Sequence, residues 1–271
     1  MRHARGTLNL DTPVVMGVLN VTPDSFSDGG RYLDPARALE RAQTMLAEGA
    51  AIVDVGGEST RPGAAPVPLD EELRRVVPVV RAIARDSAAL VSVDTSRPEV
   101  IEQVLDAGAA MINDVRALQT PGALAAAARG SAAICLMHMK GSPETMQQSV
   151  HYDDVTAEVR EMLAERIGAC QAAGIDAERL CIDPGFGFGK LIQHNLELLR
   201  KLDELTSLAR PVLIGLSRKS MLKTLIGRDS DDRLAGSIAL ATVAVLNGAA
   251  IIRAHDVAAT VDAVAVAAKL R

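Results

Sequence analysis

A single (β/α)8 TIM barrel is the fold this 271-residue sequence predicts, and three observations predict it. Short apolar, β-branched runs alternate with amphipathic stretches of helical length, which implies parallel strands joined by crossover helices. Eight such pairs can be read, the number at which a parallel sheet closes on itself. The runs are apolar throughout instead of alternating, as strands are when both faces are covered. The rival arrangement, an open doubly wound sheet, would carry a GxGxxG turn after its first strand, and none follows Leu19.

Taken in order, the first strand is VVMGVL (14–19), which ends at Asn20 and breaks into the loop VTPDSFSDGG; a helix follows over 35–48. The second, AIVDV (51–55), contains Asp54, opens into GGESTRPGA and leads to a helix at 69–85. LVSV (90–93) ends at Asp94 and MIN (111–113) at Asn113 and Asp114, with helices at 97–107 and 120–129. AAICLM (132–137) ends at His138, before a helix at 153–173. LCI (180–182) ends at Asp183, before a helix at 194–208. VLIG (212–215) leads to Ser217, Arg218, Lys219 and Ser220, and AAII (249–252) to Arg253, His255 and Asp256; the last helices lie at 232–247 and 256–269. Nothing of linker composition divides the chain, so residues 1–271 are read as one domain.

Composition narrows the function classes. The formal charge of -5 leaves no basic excess, which argues against nucleic acid or an anionic membrane as partner. No run reaches the length of a membrane span, and MRHARGTLNLD lacks the apolar centre of a signal peptide. Cys135, Cys170 and Cys181 are widely spaced with no CxxC pair, and are read as reduced, buried thiols of a soluble, cytoplasmic protein.

In a barrel of this kind the active site is built at the C-terminal ends of the strands. Here every one of those ends is polar. An isolated Asp, Asn or Ser after a strand commonly caps the next helix, but caps do not require Asp and Asn at the last strand position again and again. The centre of the pattern is LCIDPGFGFGK (180–190): a strand ending in one carboxylate, then a loop whose glycines permit close backbone approach to a ligand. Phe186 and Phe188, two of three phenylalanines in the chain, suggest a flat ring nearby. Asp94, Asn113 and Asp183 suit a heterocycle rich in N–H donors. Ser217, Arg218, Lys219, Arg253 and His255, with a helix starting near Ser220, suit a phosphate or diphosphate. Asn and Asp oxygens of the first loop, Asn20 among them, suit Mg2+ held against that diphosphate, and the loop's Pro, Ser and Gly suit a lid. HExxH, Walker A and GxSxG signatures are absent, and the histidines lack metal-ligand spacing. His151 and His194 are read as surface or capping residues.

The segments MGVLNVTPDSFSDGG, DVGGESTRPGA, VSVDTS, INDV, MHMKGSPETMQ, DPGFGFGK, LIGLSRKSML and RLAGSIALATVAVLNGAAIIRAHDV resemble dihydropteroate synthase, a family of pterin-binding barrels, over about residues 14–269. The resemblance implies condensation of (7,8-dihydropterin-6-yl)methyl diphosphate with 4-aminobenzoate, an SN1-like path, inhibition by sulfonamides and a homodimer. It implies that Asp94, Asn113, Asp183 and Lys219 hold the pterin. Asn20 with Mg2+, Arg253 and His255 would hold the diphosphate. Thr60, Arg61, Pro62, Phe26 and Asp28 lie on two loops that would close over the site, and Phe188 and Ser220 would complete the aminobenzoate pocket. Lys140 stands where Gln is commoner in the family, and Ala254 where Val is usual; neither change removes a named ligand. Two other readings remain: a methyltetrahydrofolate–corrinoid methyltransferase, which needs neither SRKS nor the Arg253 and His255 pair, and a paralogue that binds a pterin without turnover.

Overall fold

The β-branched runs do form a ring of parallel strands. The structure is a computed structural model that describes residues 1–22, 35–59, 66–141, 145–146, 150–229 and 232–271. A short N-terminal hairpin, β1 (Arg2–His3) and β2 (Gly6–Thr7), precedes the barrel strands. These are β3 (Val14–Asn20), β4 (Ile52–Gly56), β5 (Leu90–Asp94), β6 (Met111–Asp114), β7 (Ala133–Met137), β8 (Leu180–Asp183), β9 (Leu213–Ile214) and β10 (Ile251–Ala254). Their spatial order is β8-β7-β6-β5-β4-β3-β10-β9. A parallel bridge from Ile182 to Val212, with the Ile182 N–H donating to Pro211 O at 3.0 Å, joins the two ends.

Helices cover the outside: α1 (Pro35–Ala47), α2 (Leu69–Asp86), α3 (Pro98–Asp106), α4 (Ala123–Arg129), α5 (Val155–Ala172), α6 (Ile192–Arg200), α7 (Leu202–Thr206), α8 (Met221–Ile226), α9 (Leu234–Leu246) and α10 (Val257–Ala268). Local chemistry sets their starts. Pro98 opens α3, acids fill the first turn of α2, and the Asp154 carboxylate accepts the Thr156 and Ala157 N–H groups at 3.0 Å to cap α5. The single helix expected over 194–208 is instead two. The backbone leaves helical geometry at Lys201 (φ -105°, ψ 25°), and Leu202 and Leu205 beyond it are fully buried. The helix expected over 120–129 starts at Ala123, after Gly122 in the left-handed region (φ 89°).

Strand period explains how one ring makes both a core and a site. Residues two apart share a face. Met16, Ile52, Leu90, Met111, Cys135, Cys181, Leu213 and Ile251 form one apolar cluster inside the ring, and Met1, Leu8 and Leu10 pack against it from the N-terminal segment. That segment is tied down by Arg5, whose guanidinium donates to Ala89 O at 3.0 Å. The hairpin is absent from the sequence reading because two-residue strands carry no readable period. Two positions further along the same faces come Asp54, Ser92, Asn113, Asp183, Gly215 and Arg253. The floor is therefore apolar and the layer above it polar. The opposite faces of the strands, with residues such as Val53, Val93, Ile134 and Ile182, pack under the helices. All three cysteines are free and buried, as their apolar context implied.

Met16 is fully buried in the floor, so Met16→Ala removes contacts that the ring cannot easily close up. We expect a loss of about 2–5 kcal/mol, seen as a lower urea midpoint with an unchanged slope. A wild-type midpoint would show that the floor carries no packing constraint.

Candidate active site

The C-terminal mouth of the barrel is organised by one guanidinium. Arg253, from β10, donates through Nε to Asp54 Oδ2 at 2.6 Å and through Nη2 to Asp94 Oδ2 at 3.1 Å. Asn113, from β6, donates its amide N–H to the same Asp54 oxygen at 3.1 Å. Asp54 is fully buried, which a lone carboxylate would not tolerate, and its two donors supply the compensation. The sequence reading counted Asp54 among the polar strand ends at the mouth but gave it no role there. The signal was nonetheless there, since an Asp inside the apolar run IVDVG needs a partner in the barrel interior.

Electrostatics follow from this packing. Burial pushes the Asp94 carboxyl up to about 7, against the opposing charge of Arg253. Although burial alone would lower it, Asp54 and Asp94 hold the Arg253 guanidinium above its ordinary value. Across the mouth, burial raises the Asp183 pKa and Lys219 opposes the rise. Lys219 is lowered from 10.5 to about 8 by burial, with Asp183 opposing. A Cβ on Gly215 would lie 3.9 Å from both Lys219 Nζ and an Arg253 side-chain carbon, so the missing side chain lets the two cations face one volume.

Around Asp183 the glycine loop closes on itself. The Gly185 N–H donates to Asp183 Oδ1 at 2.7 Å, fixing the carboxylate plane. Lys219 Nζ donates to the Phe186 carbonyl and sits 4.6 Å from the centre of the Phe188 ring. Of the two phenylalanines read as ring partners, only Phe188 borders the mouth. Phe186 is fully buried in the core under the helices and offers its carbonyl alone.

The basic group after β9 divides in the same way. His255 donates its backbone N–H to Ser217 Oγ at 3.2 Å, and its Nδ1 lies 3.1 Å from that oxygen. Arg218 was expected with the anion-binding cations, but its guanidinium makes a bidentate pair with Asp256, at 3.0 and 2.5 Å. Its backbone, at φ 57°, is held by Ser237 Oγ and Arg233. Arg218 fastens the loop that carries Lys219. Ser220 is exposed at the start of the short helix α8, and Asn20 ends β3 with Oδ1 3.5 Å from where a Gly56 Cβ would stand. Phe26, Asp28, Thr60, Arg61 and Pro62 lie outside the described residues. Lys140 is committed elsewhere, to Glu158 at 2.9 Å, His151 O at 2.7 Å and the Tyr152 ring. His194 Nδ1 accepts the Leu191 N–H at the start of α6, the capping role expected of it. Among the described residues no three His, Cys, Asp or Glu side chains converge as a metal site.

A polar mouth with paired carboxylates, an amide and two partly buried cations, at the end of a (β/α)8 barrel, is the setting of a pterin-binding barrel. The model of the pterin binding enzyme family matches residues 16–255, and the chain belongs to that family. Within it, the chain is 53% identical to the dihydropteroate synthase of Escherichia coli over 97% of this chain and 94% of that relative. The structure of the Yersinia pestis dihydropteroate synthase with a sulfonamide drug complex superposes with a TM-score of 0.94 at 51% identity, covering 99% of each chain. That of the Xanthomonas albilineans enzyme in complex with 7,8-dihydropteroate gives 0.88 at 48%, covering 97% of this chain and 95% of that one. The chain is a member of the dihydropteroate synthases, the transferases of folate synthesis that join a pterin to 4-aminobenzoate.

Removing the organising cation leaves two buried carboxylates facing each other. Arg253→Met is expected to cost about 3–5 kcal/mol near neutral pH. Asp94 already holds its proton more tightly folded than unfolded, near 7, so the folded state gains relative stability as pH falls through that value. Because Arg253 opposes that rise, Asp94 in the variant protonates at a still higher pH, so the deficit should shrink as pH falls towards about 7 and level off below it, as measured by urea unfolding from about pH 9 to about pH 5. A pH-independent deficit would mean that Asp54 and Asp94 do not depend on Arg253.

Proposed function

We propose that this chain condenses (7,8-dihydropterin-6-yl)methyl diphosphate with 4-aminobenzoate, using its own residues in the following roles. The observation that carries the reading is the pairing of buried carboxylates with Arg253 on one wall and Lys219 on the other. Asp183, Asp94 and Asn113 present oxygens to the N–H-rich edge of the pterin, and Lys219 approaches it from the opposite side. Arg253 and His255 hold the diphosphate. Phe188 and Ser220 border the place for the aminobenzoate, with Phe26, Asp28, Thr60, Arg61 and Pro62 as further contacts on the two loops.

No side chain need act as nucleophile. The amine of the aminobenzoate attacks the pterin methylene carbon as its bond to the diphosphate oxygen breaks; the leaving group takes the electron pair and the amine later loses its proton. The electron-rich pterin shares positive charge on that carbon, which favours a dissociative, SN1-like course. Lys219, Arg253 and His255 stabilise the departing anion, and Asp94 and Asp183 favour a cationic ring. A bound Mg2+ would neutralise diphosphate charge. The donor suits that ion: Asn20 supplies one hard oxygen beside Gly56, and Mg2+ commonly takes one or two protein oxygens with the rest from substrate and water.

Two further features belong to the same proposal. Leu234, Val243 and Leu246 on α9 and Val266 on α10 are exposed, and a second copy of the chain would cover them in a homodimer. The free, buried thiols fit a cytoplasmic setting. No helix among the described residues is long and apolar enough to cross a membrane.

The deciding assay follows diphosphate release and dihydropteroate formation with Mg2+, with and without 4-aminobenzoate. Multiple-turnover product that requires aminobenzoate supports the reading, whereas pterin binding without product identifies the silent paralogue. Lys219→Ala should fold and lose about 100-fold or more in turnover; near-normal steady-state turnover would remove Lys219 from the scheme. Asp183→Asn should weaken a pterin analogue by about 10- to 100-fold in calorimetry, the worth of a charged hydrogen bond, and unchanged affinity would place the pterin elsewhere.

A further inference from the structure

Lys190 ends the glycine loop and is 3% exposed, yet its amine bonds no carboxylate. Nζ lies 2.9 Å from His138 Nδ1, 3.0 Å from Gly185 O and 3.0 Å from Phe188 O, with His138 O further off at 3.4 Å. Three short contacts match the three N–H bonds of an ammonium. A neutral amine makes the same three by donating to the two carbonyls and accepting from a protonated His138 Nδ1, so in either form Nζ ties His138 to the loop. Burial together with Lys190 takes the His138 pKa down to about 2, so its ring is a neutral imidazole. Burial also takes the pKa of Lys190 well below its ordinary value, with Asp183 opposing.

The ring is made by the loop. Gly185, Gly187 and Gly189 all have φ between 60° and 80°, a region that side chains disfavour. A Cβ on Gly185 would fall 1.9 Å from His138 O, and one on Gly189 2.5 Å from Lys140 O. Backbone therefore packs on backbone, with the carbonyls of 185 and 188 turned in to Lys190. The carbonyl of Phe186 turns the other way, to Lys219 Nζ, and the Phe188 ring lies beside that amine. The loop is also tied from outside, by Asn195 Oδ1 accepting the Gly187 N–H at 2.7 Å and by Tyr152 OH donating to Gly189 O at 3.0 Å.

We infer that Lys190 is a positioning residue: its amine gathers the carbonyls of 185 and 188 around itself and so sets where Lys219 and the Phe188 ring stand relative to the second substrate. The inference rests on the reaction proposed above. Because Asn195 and Tyr152 hold the loop independently, loss of the amine should shift the loop without unfolding the barrel.

The test compares wild type with Lys190→Met, which keeps the length of the side chain. Binding of 4-aminobenzoate to protein saturated with a pterin analogue and diphosphate is measured by calorimetry, beside kcat and KM for each substrate. The variant should bind aminobenzoate about tenfold or more weakly, with lower kcat, while the pterin analogue changes by no more than about threefold, since a displacement of an ångström is enough for such losses. A lowered melting temperature with unchanged aminobenzoate affinity and kcat would reduce Lys190 to a structural role and overturn the inference. So would equal loss of both ligands, which would mean collapse of the site. If Lys190→Met does not fold, Lys190→Arg is the second variant: it keeps the charge but cannot place three donors tetrahedrally, and wild-type aminobenzoate affinity in it would equally overturn the inference. Wild-type protein that binds both ligands but makes no dihydropteroate would refute the proposed reaction and leave the calorimetric comparison to decide on Lys190.

Discussion

The mouth of this barrel depends on a guanidinium held between two carboxylates. Arg253 bridges strands that are far apart in sequence: β10 supplies the cation, β4 and β5 the anions. None of the three would be stable alone at that depth, and together they keep a charged layer directly above an apolar floor. The arrangement also settles what is left for a ligand. Asp54 is held through Oδ2 by Arg253 and Asn113, whereas Asp94 and Asp183 stand at strand ends with raised pKa values.

The opposite wall is made of backbone more than of side chains. Three left-handed glycines let the 183–190 loop point carbonyls in two directions, inward to Lys190 and across to Lys219. A lysine lowered to about 8 beside a carboxylate is a cation ready to give up water for an anion. Arg218 completes the wall by bracing the loop between Asp256 and Ser237, which is a structural use of a charge that pattern alone assigned to ligand binding.

Much of this was legible in the residues. Eight apolar runs, each ending in a polar residue, gave the strands and the mouth, because both follow from local period and from a fixed rule about where such barrels place their chemistry. Asp94, Asn113, Asp183, Lys219 and Arg253 were readable for the same reason. The hairpin at 2–7 and the break at Lys201 were not, since one is too short to show a period and the other depends on how Leu202 and Leu205 find the core. Asp54, Arg218, Phe186 and Lys190 were misread or passed over because their roles depend on facing partners. A strand-end position tells that a side chain is near the mouth; it does not tell whether a neighbour has already claimed it.

The N-terminal segment packs under a layer of side chains that already fills the ring, so the barrel opens at one end only. Whatever enters must leave by the same door, so two substrates and two products share a single lane. A handful of residues that never touch the chemistry help to keep that far end shut.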